Sequence, residues 1–591
     1  MKPVVVRAPA LLLASALPLC WHGAAAVELS VSGRVSVGSA WRTEAADPQL
    51  LVPYNAAAMG LEGRAAGGQN TDDANNNYRK GDMVSRVLKG HLDLRARAGT
   101  AAALVRVKAW RDFALLDDPR PWGNNPNGYV PDTPLSDAGA GRLGRFAGIA
   151  LADAYVEDTL ALGDTRLFVR AGRQTLAWGE RNTAGGGMAV LNALDLAAQH
   201  RPGALPAEFR IAQPMLFTRL QAGQSGLALE GYVQTGFHGT TLDMCGTFWA
   251  PTDYMADGCE RAFAGLPAAS DRARLQNGAY IKRIASPFGE DGAQFGLGMV
   301  WKSATPGSEI GLYRARYHLR APMPGLRKAG RAGPGLIPGD PDGLNLAYFA
   351  EHPAGIDLYA LSATHKQGTL TWSGEFDVRP NQPVQLPPAD VLTPFLNATA
   401  PALLRADAAA LAPGAPFHGY DRYRTTQLQL ALHKEFGLVA RAAVGGEAGL
   451  VVKHVAGLPD PAVRRYGRSD VYGAGPVAGV CNATAAAAAR QCSLDGYVTP
   501  SALEYRLRLD ARWRAVLPRL DLGASALFTH DVKGWSHDFL INQGRRTLHL
   551  GLQLRYRERY FAELAYVPVW GGSYNYQSDR DYLSVAAGVS F

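Results

Sequence analysis

Long connections alternate strictly with short ones along this chain, and that rhythm constrains the fold more than any single motif. Gaps such as 43–81, 174–212, 237–291 and 455–500 alternate with turns as short as "GT", "GD" and "KQG". The segments between them alternate apolar and polar residues with a period of two, as a strand with one apolar face does. They run at 28–42, 82–98, 101–112, 151–162, 165–173, 213–223, 225–236, 292–304, 307–318, 354–365, 368–379, 422–435, 439–454, 501–514, 519–530, 545–557, 559–569 and 582–591. That predicts about eighteen strands, within a range of 16–18, each near the ten residues a tilted strand needs to cross a bilayer. A soluble sandwich or propeller has no reason to keep every long loop on one side. The expected fold class is all-β: a transmembrane antiparallel up-and-down β-barrel with long extracellular loops and short periplasmic turns. The last segment, "DYLSVAAGVSF", is expected to pair with 28–42, because an open sheet edge cannot survive in a bilayer.

The alternation also assigns faces. In "SALEYRLRLDARWR" the residues Leu503, Tyr505, Leu507, Leu509 and Trp513 oppose Glu504, Arg506, Arg508, Asp510, Arg512 and Arg514. In "MVSRVLKGHLDLRARAG" Leu88, Leu92 and Leu94 oppose Lys89, His91, Asp93, Arg95 and Arg97, and in "RRTLHLGLQLRYR" a leucine row opposes Arg555. An arginine facing lipid near the midplane costs about 2–4 kcal/mol, so the charged rows face the lumen. They admit two readings: a paired network that fills the barrel, or an electropositive path for anionic or amphipathic solutes. Trp41, Trp110, Trp301 and Trp372, near strand ends, suit the interfacial girdles.

Residues 1–26, "MKPVVVRAPALLLASALPLCWHGAAA", read as a secretory signal peptide cut before Val27, which leaves 27–591 as the barrel. Removing Lys2 and Arg7 takes the net charge from +8 to +6, spread along the chain, so no nucleic-acid partner is expected. With Cys20 gone, Cys245 and Cys259 form one close pair and Cys481 and Cys492 another. No histidine stands beside either pair at zinc-ligand spacing, so two loop disulfides are expected.

Several polar segments carry a family likeness: "NTDDANNNYRKGDMVS", "RVKAWRDF", "RAGRQTLAWGE", "YRARYHLRAPMPG", "GEFDVRPNQPVQL", "FTHDVKGWS" and "SDRDYLSVAAGVSF". On these the chain resembles a proteobacterial outer-membrane β-barrel family of unknown function. Its members are often encoded beside RND-type permeases and a periplasmic outer-membrane-associated partner. The resemblance implies an integral outer-membrane location in contact with outer-membrane lipid, and export or trafficking of hydrophobic or amphipathic molecules with such partners. It also implies that Phe591, a terminal aromatic, is the signal read by the barrel assembly machinery, so that extra polar residues after it impair insertion. Asn192-Ala193-Leu194-Asp195 stands where the family pattern reads NPxD, without its proline.

The segment 173–212 mixes a glycine triplet, an apolar stretch and the charges Arg173, Glu180, Arg181, Asp195 and Arg201. A loop of this length is commonly functional. It is expected to fold into the barrel as a plug or constriction, with a short helix over 188–199, rather than lie over the rim. "HDVKGWSHD" holds His530, Asp531, Ser536, His537 and Asp538. It tops a hairpin, where histidines are usually solvated, and neighbours in sequence are poor evidence of a triad. No catalytic, cofactor-binding or metal residue is assigned and no enzyme is expected. The leading expectation is a channel or export component for amphipathic or hydrophobic molecules. The alternatives are a hydrophobic-substrate uptake channel, with an apolar pocket or a lateral opening, a barrel lipid hydrolase, or a structural barrel.

Overall fold

The computed structural model describes residues 26–591 except 69, 180–184, 267, 290–291 and 304–306. The signal-peptide reading and the positions of Glu180 and Arg181 lie outside the described residues. Eighteen strands form one closed antiparallel sheet, each bonded to its neighbours in sequence. The first, Glu28–Arg42, pairs with the last, Tyr582–Ser590, from Arg34 opposite Ser590 to Arg42 opposite Tyr582. Gly33 and Phe591 extend that seam by exchanging two backbone hydrogen bonds of 2.9 and 3.0 Å. A two-residue piece, Val569–Trp570, continues the seventeenth strand, Tyr560–Val567, past Pro568.

Register follows the period-two pattern. Leu297, Leu509 and Leu552 stand 62, 52 and 48 % exposed on the outer face, within a belt of valine and leucine that runs around the barrel. Water-soluble monomers rarely leave so large an apolar surface uncovered, so this belt is a lipid-facing surface. No helix among the described residues is long and apolar enough to cross a membrane. Trp301 and Trp372 lie on the outer face, but Trp110 does not. Its parity is that of Arg106 and Lys108, so it is buried inside and donates from Nε1 to the Arg145 carbonyl at 2.8 Å.

Strand ends differ from expectation where a bulge intervenes. The strand Leu370–Gln385 passes residue 379 because a register shift between Arg379 and Gln382 absorbs Pro380 and lets Gln382–Gln385 pair with Tyr420–Tyr423. At the short-turn end, Ala440 and Arg441 take positive φ values of 48° and 63°, the twist that suits a two-residue hairpin.

The long loops build a folded cap. A second sheet joins Arg261–Phe263, Tyr280–Arg283, Ala347–Glu351, Met323–Arg327 and Pro416–Phe417, drawn from three different loops. Tyr254, Leu326, Tyr348, Val391, Phe395 and Tyr466 pack a core beneath it. Both expected disulfides are formed within the cap, Cys245–Cys259 and Cys481–Cys492, closing sequence separations of 14 and 11 residues. In the chain-entropy account a loop of such length contributes about 3 kcal/mol. Replacing Cys245 and Cys259 by alanine is therefore expected to lower cap stability by about that amount. Limited proteolysis should then cut the loop 235–293 while the barrel stays folded.

Candidate functional site: the lumen and the segment that crosses it

Inward side chains on adjacent strands lie close enough to pair, and most of the charges do. Arg106 holds Asp93 through Nε and Nη2 at 2.6 and 2.5 Å and Asp153 through Nη1 at 3.0 Å. Arg170 pairs with Glu157 at 2.6 Å, Arg219 with Glu230 at 2.8 Å and Arg34 with Glu563 at 2.8 Å. Glu504 binds Arg506 and Asp510 binds Arg508, each at 2.6 Å, while Arg95 stays 3.9 Å from Asp93. Among the described residues Arg97, Arg512 and Arg514 enter no ion pair and remain exposed, and Arg555 reaches only Gln553 at 3.4 Å.

Lys89 and Lys108 turn to the segment 175–212, whose described residues lie inside the barrel. Lys89 Nζ donates to Glu208 Oε2 at 2.6 Å and to the Gly203 carbonyl at 2.9 Å. Lys108 Nζ donates to Asp195 Oδ2 and to the Glu208 carbonyl, both at 2.6 Å. His91 Nδ1 lies 3.9 Å from Glu208 Oε1. At the other end of the segment, Met188 N donates to Glu375 Oε1 at 2.8 Å, Arg379 donates to the Gly187 carbonyl at 2.9 Å, and Gln427 donates to the Gly185 carbonyl at 3.2 Å. Lys89 and Lys108 belong to the second and third strands; Glu375, Arg379 and Gln427 belong to the eleventh and twelfth. Nine places apart in a ring of eighteen are opposite walls, so the segment crosses the lumen from side to side.

Its local structure differs from one helix over 188–199. A 3-10 turn, Gly187–Leu191, gives way to Ala193–Leu194, which pairs with Arg210–Ile211; within 188–199 only Leu196–Gln199 is α-helical, and a second short helix follows at Pro206–Phe209. Asp195 ends the earlier elements by capping that helix, accepting from Ala198 N at 3.0 Å. The turn forms without the family's proline because Asn192 holds Leu176 through two hydrogen bonds of 2.9 Å. Arg201 stacks over the Trp110 ring at 4.5 Å, and Arg173 approaches His238 at 3.4 Å. Burial by itself would raise the Glu208 carboxyl, but His91, Lys89 and the Leu205 amide together hold it down to about 2.

The crossing segment borders two cavities. One of about 440 Å³ is lined by Phe168, Phe217, Trp178 and Tyr313, with Arg170, Arg219, Glu230 and Glu375 around them. Trp178 donates to Glu230 at 2.6 Å, and its ring lies 4.9 Å from Tyr313. The other, about 750 Å³, opens toward the short-turn end between Gly203 and the wall. Its five arginines, among them Arg508, Arg512, Arg514 and Arg555, face four carboxylates, Glu435, Asp510, Asp521 and Glu563. The charges of this wall are nearly balanced, so its excess positive field is small, but among the described residues only Arg508 of the five makes an ion pair with one of these carboxylates. The aromatic lining was missed in the sequence because Phe168 and Phe217 sit in strands with apolar residues on both faces.

"HDVKGWSHD" is not a solvated hairpin tip. Ser536 and His537 are buried, and Asp538 pairs with Lys453 at 2.5 Å. Ser536 donates to Asp538 at 2.7 Å, whereas neither ring nitrogen of His537 has a hydrogen-bond partner among the described residues. The serine–histidine hydrogen bond that activates a hydroxyl nucleophile is thus not made here. Asp579, from "SDRDY", pairs with Arg42 at 2.9 Å at the barrel rim.

No curated protein matches the chain. Among solved structures it is similar to OccK9 of Pseudomonas aeruginosa, at 11 % identity over 95 % of this chain and 97 % of that one, with a TM-score of 0.36. It is also similar to a BenF-like porin from Pseudomonas fluorescens Pf-5, at 9 % identity over 95 % and 98 %, with a TM-score of 0.40. The outer membrane channel DcaP of Acinetobacter baumannii is similar at 8 % identity over 96 % and 97 %, with a TM-score of 0.33. Likeness this distant says nothing of substrate. One family does extend over strands and loops alike: residues 6–591 match the family described as Protein of unknown function (DUF1302), and this barrel with its crossing segment belongs to it.

Proposed function

We propose that the protein is an outer-membrane channel that passes amphipathic molecules around or past the crossing segment 175–212. The observation that carries this reading is the cavity of about 440 Å³ beside that segment, where aromatic rings and balanced charges share one wall. An amphipathic solute can place its apolar part on Phe168, Phe217 and Trp178 and its polar part near Arg170, Arg219 and Glu230. The lipid-facing belt supports a membrane setting. The family resemblance supports the outer membrane, assembly through Phe591, and export in concert with a periplasmic partner and an RND-type permease. The same aromatic wall also suits a hydrophobic-substrate uptake channel, the second reading, which differs in the direction of flux.

Purified protein in liposomes tests the channel. The unmodified barrel is expected to release an amphipathic dye, and Phe168→Ala with Phe217→Ala to weaken its capture by about tenfold, the worth of about 1.4 kcal/mol of lost aromatic contact. Conductance of small ions should change little. A barrel that neither conducts nor releases dye would sink the proposal, and loading dye on one side only separates export from uptake.

A further inference from the structure

The cap holds a group that the lumen does not use. Asp72 and Asp73, in the loop 43–81, meet Asp253 from the loop 235–293, and one carboxylate oxygen from each lies within 4.8 Å of the others. All three are buried, Asp253 to 2 % exposure. A fourth carboxylate, Asp271, joins through Asn55, whose Nδ2 donates to Asp72 Oδ1 at 2.9 Å and to Asp271 Oδ2 at 2.7 Å. A third loop closes over them: Trp122 Nε1 donates to Asp73 Oδ1 at 2.7 Å and the Tyr129 hydroxyl to Asp73 Oδ2 at 3.0 Å.

Val52 N serves Asp72 Oδ2 at 2.9 Å, yet not every oxygen of the group has a donor. Asp253 Oδ2 accepts from Asp73 N at 3.1 Å, but Asp253 Oδ1 has no hydrogen-bond partner among the described residues. The amide oxygen of Asn76, a neutral group whose Nδ2 is spent on the Asp72 carbonyl at 3.0 Å, is also buried without a donor among the described residues. Among the described residues no basic side chain makes an ion pair with Asp72, Asp73 or Asp253; Arg274 serves Asp271 at 3.6 Å and Arg580 serves Asp579 at 3.2 Å. Three buried carboxylates this close together, with no base among the described residues paired to them, hold negative charge that a cation would balance. The donor set is all oxygen, which excludes soft transition metals, and it is spread over separate loops, which suits the flexible shell of calcium better than the strict octahedron of magnesium.

We propose that Asp72, Asp73 and Asp253, with the Asn76 amide oxygen, bind a calcium ion that ties the loops of the cap together. Extracellular calcium modules bind with dissociation constants on the order of 10⁻⁴ to 10⁻³ M, and a similar value is expected here.

Terbium is the probe, because Trp122 touches Asp73 and can sensitise its emission. The full chain in detergent, freed of metal by a chelator, should bind one terbium ion with emission excited through tryptophan, and calcium should displace it. Asp253→Asn, which keeps the shape and the acceptor for Asp73 N, should weaken binding at least about tenfold, a typical loss when a charged oxygen ligand is removed. Trp122→Phe should abolish emission excited at the red edge where tyrosine does not absorb, since Tyr129 also touches Asp73, while calorimetry still records binding. Calcium should also protect the loops of the unmodified chain from protease, which decides the matter if Asp253→Asn does not fold. Absence of stoichiometric binding, undiminished affinity in Asp253→Asn, tryptophan-excited emission that survives Trp122→Phe, or protease cutting indifferent to chelation would overturn the proposal.

Discussion

Replacing Glu208 and Asp195 by glutamine and asparagine frees the crossing segment from one wall, and single-channel conductance rises. Lys89 and Lys108 are buried against these two carboxylates at 2.6 Å each. Removing one partner of a buried pair costs about 3–5 kcal/mol, because the other charge is left in a poor environment. At about 1.4 kcal/mol per factor of ten, each pair removed lowers the population of the anchored state relative to the released one by on the order of two to three and a half decades. The far wall still holds Gly185, Gly187 and Met188, so the segment swings from that side rather than leaving the barrel. The pH dependence has a definite sign. Glu208 is held down to about 2, well below the usual carboxylate range, so its contribution is complete above the unfolded value and is lost as pH falls through about 2. Conductance of the unmodified channel should therefore be flat from pH 8 to 5 and rise only below about pH 3, whereas Glu208→Gln should show no such step. Equal conductance in the double variant and the parent would show that the segment does not limit passage.

The second large effect is expected at Arg106. This guanidinium serves Asp93 and Asp153 together, with side-chain exposures of 16, 8 and 13 % for the three groups. Arg106→Met strands two nearly buried carboxylates and should destabilise the barrel by about 3–5 kcal/mol, read as a lower urea midpoint for loss of heat-modifiable mobility. Adding Asp93→Asn should recover much of the loss, since the damage is the unpaired charge and not the missing bulk. A triple variant with Asp153→Asn should come closer still to the parent. No recovery on neutralising the acids would mean that Arg106 matters through packing alone.

Strand positions and barrel closure were legible because they rest on a local code. A period of two tells each side chain which of two solvents it meets, and a misplaced Arg508 or Leu509 is penalised at once wherever the strand sits. The pairing of Glu28–Arg42 with Tyr582–Ser590 follows from the same cost, applied to an unpaired edge. Trp110 was misjudged although its parity with Lys108 already marked it as inward. His537 was misjudged because no pattern within a hairpin loop reveals what later packs over it.

The loops carry the part that only the tertiary structure decided. Tyr280–Arg283 pairs with Ala347–Glu351 across two intervening strands of the barrel, and Asp72 meets Asp253 across a separation that no sequence periodicity can span. Likewise the acids of the segment 175–212 and the lysines of the second and third strands were visible one by one, but not their partnership. The sequence by itself determined an eighteen-strand barrel with a charged interior, since each of those choices is settled residue by residue by water, lipid and the backbone's need for hydrogen bonds. Which loop crosses the lumen, which wall it grips, and which carboxylates gather in the cap depended on contacts between distant segments, whose energies exist only once the barrel has brought them together.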